Sequence, residues 1–207
     1  MVTGGVMPKG FTDAQKKQLQ MDLKNAGKKL FVQYGVKKTS VSLLTESVGI
    51  AKGSFYLFYD SKEELFIDIL EDIEDVIQVQ MLEEIKTSQS SAPDLFKYLL
   101  KSRLRSAAED PIIKMTLKTD VIEQIWSKLP EARRLENLAR DARFIESFLT
   151  YRPEASLMFR VGSDKLAGIF RSLFFLILHK LEIGEHVYDE VLDFMVDACV
   201  DKLFNEE

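Results

Sequence analysis

Between Lys52 and Lys62 the chain places four aromatic residues in five positions, Phe55, Tyr56, Phe58 and Tyr59. Just before them stands the small pair Gly53-Ser54. A lysine beside residues that small lets a backbone come close to a phosphate, whereas aromatics that dense point to a core. The stretch therefore has to be divided into residues that hold a fold and residues that face a partner. Four other features bear on chemistry. "EDIED", residues 71–75, has the look of an acidic metal motif, yet its acids spread around a helix that also carries Ile69, Ile73 and Ile77, which reads as a solvated face. His179 and His186 lack the Glu at i−3 used by di-iron bundles and have no Cys or His at ligand spacing, so no metal site is expected. "RRLENLARDAR", residues 133–143, mixes bases with acids and reads as an exposed helix face. Cys199, the single cysteine, sits in an apolar stripe and reads as a buried small hydrophobe. No nucleophile–base pair is evident, so neither enzymatic activity nor a cofactor is expected.

The charge is unevenly distributed. Residues 1–60 hold nine lysines and four acids, a net +5, while residues 61–207 hold nineteen bases and twenty-nine acids, a net −10. A basic head on an acidic body suits a head that meets a polyanion; lysines clustered by chance on solvated faces are the alternative. With 207 residues, 46% of them apolar, the chain can bury one or two cores. A lone cysteine excludes an intrachain disulfide and fits a reducing, cytoplasmic setting. No basic segment followed by a long apolar one marks a signal peptide, and the longest apolar run, Leu173–Leu178, is too short to span a membrane.

These residues must be positioned by helices, because glycine is sparse, prolines fall at the edges of periodic runs and no alternating strand pattern occurs. Residues 1–10 read as an arm. Thr12 with Gln15 forms a capping box, Leu19, Leu23, Ala26 and Leu30 follow at helical spacing, and Gly35 is placed to end the helix in a left-handed conformation. Thr39 or Ser40 caps a second helix carrying Val41, Leu44 and Val48 and ended by Gly49. A third short helix covers 52–58. Ser61 with Glu64 opens a fourth, on which Leu65, Ile69, Ile73 and Ile77 recur, running to about residue 85. The polar stretch 87–93, "TSQSSAP", is a break and reads as the best domain boundary in the chain. Helices follow near 93–109, 112–128, 131–150, 163–183 and 187–204.

Two short helices joined by Val48-Gly49-Ile50 form a helix-turn-helix pattern, whose second helix lies in a DNA major groove. A β-carbon at Gly49 is expected to crowd the helix crossing. On a helical wheel Phe55 and Tyr59 share the inner face, packed against helices one and four. Tyr56 and Leu57 face outward with Lys52, Gly53 and Ser54.

"TSVSLLTESVGIAKGSFYLFYDSKEELF", residues 39–66, resembles the DNA-binding signature of the TetR/AcrR family of bacterial transcriptional regulators. The matching elements are Thr39, Gly49, Lys52-Gly53-Ser54, Tyr56, Phe58-Tyr59, Ser61-Lys62-Glu63 and Leu65. The resemblance implies an all-α protein: a three-helix helix-turn-helix domain over 1–62, a linking helix four over about 61–85, and an effector-binding and dimerisation domain over 63–207. It implies that Thr39 and Ser54 hydrogen-bond phosphates, that Tyr56 reaches a phosphate or base edge, and that Lys62 holds phosphate with the start of helix four. Ser40 and Gly53 belong to the same DNA-binding set, and Lys52 and Leu57 fall where operators are told apart. Ala51 departs from the Ser or Thr that commonly caps the recognition helix, and Leu57 replaces a frequent polar residue.

The body carries broad apolar surface. "LFFLIL", residues 173–178, is apolar all round and has to be covered on more than one side. An ordinary monomer core would do this. The resemblance implies instead a homodimer through the last two long helices, with Leu173, Phe174, Ile177, Val191, Phe194, Met195 and Ala198 at the interface. It would set two recognition helices ~34 Å apart on a palindromic operator. Helices five to seven would enclose a small apolar effector, with Phe96, Leu100, Met115, Trp126, Phe144, Phe148, Phe170 and Phe174 as candidate lining; most of these read as plain core, and Arg103, Arg105, Arg160 and Arg171 offer no distinguishable polar anchor. A ligand pushing on Ile73, Ile77 or Met81 would tilt helix four and separate the recognition helices. The leading function is thus a ligand-responsive regulator of double-stranded DNA, a repressor in most relatives of this kind. A small helical enzyme and a helical interaction module without DNA binding are the competing classes.

Overall fold

The computed structural model describes residues 11–116, 121–156 and 161–204. The expected arm over 1–10 and Arg160 lie outside them. The described residues form helices and no strand, as the all-α expectation requires. In chain order these are α1 (Asp13–Lys38), α2 (Val41–Val48), α3 (Lys52–Phe55), α4 (Lys62–Thr87), α5 (Ala92–Glu109) and α6 (Pro111–Thr116). Then come α7 (Val121–Lys128), α8 (Glu131–Tyr151), α9 (Pro153–Ser156), α10 (Ser163–Leu178), α11 (Lys180–Ile183) and α12 (Tyr188–Phe204). Two compact units result, Met1–Ile69 and Leu70–Glu207, divided within α4. The polar break after residue 87 is a loop from α4 to α5, inside the second unit.

Local signals start the first unit's helices. Thr12 accepts from the Gln15 N–H while the Gln15 side chain accepts from the Thr12 N–H, closing the capping box. Ser40 caps α2 by accepting from the Leu43 N–H at 3.1 Å. Ser61 caps α4 through the Glu64 N–H, and the Glu64 carboxylate reaches back to the Asp60 N–H at 2.7 Å. Two glycines depart from expectation. Gly35 has φ 79° and ψ 157°, which kinks α1 instead of ending it in the left-handed helical well. Gly49 does adopt that well, at φ 72° and ψ 31°, but a β-carbon there would meet nothing within 4 Å. The positive φ requires the glycine, not crowding. Gly27 is the position where close approach matters. A β-carbon on it would lie 2.8 Å from Ile69 Cδ1, so its absence lets α1 run against the start of α4. There Phe31 and Phe66 meet edge to face, with Leu23, Leu65 and Ile69 fully buried beside them.

The second unit has one continuous apolar core drawn from α4, α5, α8, α10 and α12. At its centre Phe96 packs against Phe148 at 4.9 Å and Phe170 at 5.0 Å between ring centroids, with Phe204 at 5.9 Å. The apolar run 173–178 is split: Leu173 and Ile177 face this core, while Phe175 is exposed. The helix expected over 163–183 breaks at His179, where φ −115° and ψ 25° interrupt it.

Two charged stretches expected to face solvent instead face each other. Glu71, from "EDIED", is only 4% exposed. Its carboxylate accepts from Arg133 and, at 3.2 Å, from Asn137, both on α8. Arg140, one turn further along α8, donates to Asp75 at 2.5 Å and to the Glu71 carbonyl at 3.3 Å. Asp141 pairs with Arg171 of α10. The inner side of each stretch forms a polar seam of the unit, while Asp75, Glu136 and Arg143 remain exposed as a solvated face.

Candidate nucleic-acid interface

The aromatic block at 55–59 divides as the helical wheel requires. Phe55 is fully buried. Tyr59 is buried and donates its hydroxyl to Asp68 of α4 at 2.7 Å. Asp68 also pairs with Lys24 of α1 at 2.9 Å, so this turn is tied to both long helices of the unit. Tyr56 and Leu57 stand outward, 52% and 66% exposed, beside exposed Lys52 and Gly53 and half-buried Ser54. The helix itself is shorter than the expected 52–58. Residues 56–58 form a turn in which the Leu57 and Phe58 N–H groups bond the carbonyls of Ser54 and Phe55. Ala51 makes no side-chain cap, as its methyl dictates.

A surface cleft of about 360 Å³ runs between the starts of α2, α3 and α4. Ser40, Lys52, Tyr56 and Lys62 line it together, and these four were singled out from sequence. Ser61 and the acids Asp60 and Glu63 also line it. From sequence Ser61 was read as a helix cap and, with Glu63, as part of the family signature, and nothing in the spacing placed Asp60 and Glu63 in a cleft. Gly53 and Ser54 lie on α3 beside the cleft, and Leu57 is exposed in the turn that follows it.

Two expected phosphate ligands point inward instead. Thr39 is fully buried, and its hydroxyl donates to the carbonyls of Gly35 at 2.9 Å and Leu30 at 3.3 Å. That proton closes the frayed end of α1, so the side chain is not presented to a partner. Lys62 is held in the same way: its Nζ lies 2.6 Å from the Val36 carbonyl, 2.7 Å from that of Thr39 and 3.1 Å from that of Lys37. The ammonium closes carbonyls that α1 leaves open where it ends.

The expected effector and dimer residues separate similarly. Phe96, Leu100, Phe144, Phe148, Phe170 and Phe174 belong to or pack on the second unit's core, and Met115 and Trp126 are half-buried outside it. Leu173 and Ile177 are buried within their own chain and cannot form an interface surface. Phe174 and Val191 are half-buried, whereas Ala198, Met195 and Phe194 are exposed, the last by 72%.

A left-handed glycine joining two short helices, with the second pinned inside by Phe55 and Tyr59 and bare outside, defines a helix-turn-helix protein. Residues 24–69 match the family of bacterial regulatory proteins of the tetR type. The chain is 29% identical over 143 residues to the uncharacterized HTH-type transcriptional regulator YuxN of Bacillus subtilis (strain 168). That alignment covers 69% of this chain and 42% of YuxN, so the chain spans less than half the length of that curated relative. Among solved structures, RolR in complex with resorcinol superposes with a TM-score of 0.58 at 16% identity, covering 95% of this chain and 97% of RolR. NalD of Pseudomonas aeruginosa, the secondary repressor of the MexAB-OprM multidrug efflux pump, also gives 0.58, at 14% identity and coverages of 92% and 99%. Over residues 24–69 the chain is thus similar to bacterial regulatory proteins of the tetR family, and its helical fold is similar to that of the solved regulators.

Proposed function

We propose that this chain is a homodimeric, cytoplasmic transcriptional regulator that binds a palindromic operator in double-stranded DNA and is released from it by a small apolar effector. The observation that carries the reading is the outward face of α3. Lys52, Gly53, Tyr56 and Leu57 stand in solvent on an element whose other side is fully buried, within the segment that matches the family. Lys52 makes no ion pair among the described residues, and together with the net +5 of residues 1–60 it supplies the charge a phosphate backbone requires. In the groove, Leu57 can contact a thymine methyl but cannot hydrogen-bond a base.

Repression and release rest on likeness: NalD is a repressor, and RolR was solved with resorcinol bound. Within this chain, the Tyr188 hydroxyl is buried with no hydrogen-bond partner among the described residues, which suits a polar anchor in an apolar effector site. α4 carries residues of both units, and Ile77 and Met81 pack in the second unit's core, so a ligand there has a route along one helix. Dimerisation is assigned to the exposed apolar residues Phe175, Phe194, Met195 and Ala198. The test is a mobility shift on the chain's own promoter region, with and without competitor DNA, alongside light scattering. Sequence-selective retardation by a species of twice 23.7 kDa is expected. A monomer at micromolar concentration, or no selective shift, overturns the corresponding part.

A further inference from the structure

Lys62 is a cation in the first turn of α4, where the helix dipole disfavours positive charge. Its position makes sense only through what it reaches. α1 kinks at Gly35 and ends at Lys38, leaving carbonyls that no helical N–H can satisfy. The Lys62 ammonium has three protons, and three carbonyls surround it, those of Val36, Lys37 and Thr39. Here the dipole of α1 favours the charge, because the negative helix end meets it. The bond to Thr39 matters most. Thr39 is followed directly by Ser40, which caps α2 and lines the interface cleft with Lys52 and Tyr56. Thr39 is also tied back to α1 by its side chain. One ammonium thus joins the end of α1, the beginning of α2 and the beginning of α4.

We propose that Lys62 is a positioning residue: it fixes the α2–α3 recognition unit against α1 and α4, and it sets sequence selectivity without contacting DNA. This rests on the DNA-binding reading above. An arginine keeps the charge, but its planar fork cannot reproduce a compact tripod of N–H bonds to three converging carbonyls. A phosphate contact would tolerate that exchange, whereas the clamp does not.

The experiment compares the full chain with Lys62→Arg and Lys62→Met on two duplexes, the chain's own promoter region and a scrambled sequence of equal length. Both variants should lower the ratio of promoter to scrambled affinity about 10-fold while leaving the slope of log K against log salt within half a unit of wild type, since each phosphate contact contributes roughly one unit. An Arg variant that keeps full affinity, with a Met variant that loses one slope unit, makes Lys62 a phosphate ligand and overturns the proposal. Affinities that fall equally on both duplexes, with selectivity kept, make the role structural only and also overturn it. If the variants do not fold, the wild-type chain still decides: the Lys62 ammonium proton resonance should be protected from exchange in free protein and unmoved when promoter DNA is added. A resonance that is unprotected, or that shifts on DNA binding, rejects the clamp. Wild type that binds neither duplex would remove the DNA reading, while the free-protein resonance would still report on the clamp.

Discussion

The two most polar regions of the molecule treat their charges in opposite ways. Around α2 and α3, Lys52 and Tyr56 are exposed, and Lys52 makes no ion pair among the described residues even though the acids Asp60 and Glu63 line the same cleft. Along α4 and α8, Arg133, Arg140 and Asn137 are taken up by Glu71 and Asp75. The residue types overlap, but the first set is available to a partner and the second holds a unit together. Charge density in a sequence therefore does not mark a binding surface. What marks it is charge on an element whose apolar anchors already fix its orientation, as Phe55 and Tyr59 fix α3.

The comparison can be tested from its strongest side. Removing Arg133 strands the buried Glu71 carboxylate with Asn137 alone, so Arg133→Ala should destabilise the fold by ~3 kcal/mol in urea unfolding. A loss below ~0.5 kcal/mol would reduce the seam to ordinary surface pairs and erase the distinction. On the open side, Lys52→Ala should leave stability within ~0.5 kcal/mol, because exposed unpaired residues carry little of it. It should instead weaken binding to any duplex and reduce the salt slope by about one unit. A destabilised variant with normal DNA affinity would reverse the assignment.

The smallest effect refines the seam itself. Desolvation raises the Glu74 carboxyl to about 7 from its ordinary 4.5; the charge of Asp141 adds to this, Arg140 opposes it, and Glu71 and Asp75 add further. Folding then favours the proton. The contribution is complete below about pH 4.5 and is lost as pH rises through about 7. The side chain is 45% exposed, so solvent screening keeps the effect under ~1 kcal/mol. Glu74→Gln should flatten the stability profile between pH 5 and 7; an unchanged profile would show that other groups govern it.

What the sequence revealed and what it concealed follow from the range of the interactions. Thr12, Ser40, Ser61 and Gly49 act within four residues, so capping boxes and the left-handed turn could be read directly. The division of the aromatic block followed from helical periodicity even though α3 proved to be one turn of helix and a following turn. The seam was hidden because its halves lie more than sixty residues apart, and each alone has the composition of a solvated face. The inward turn of Lys62 was hidden for the same reason: its acceptors are 23–26 residues away, and nothing near residue 62 discloses them. Leu173 and Ile177 were assigned to an interface because an all-apolar run conceals which side its own chain covers.

α3 has four helical residues and an alanine cap, far too little to persist as an isolated helix. Its shape is imposed by Phe55 and Tyr59 from beneath. The outer positions Lys52, Gly53 and Leu57 consequently contribute little to folding, with Tyr56 adding one edge contact to Phe55, and the element behaves as a cassette, with one alphabet for anchoring and a separate one for display. A library randomised at those four positions, with Phe55, Tyr59 and Gly49 untouched, would retain the unfolding midpoint of the parent across most members while its surface chemistry varied freely. That makes this one turn the natural entry point for redesigning what the protein reads.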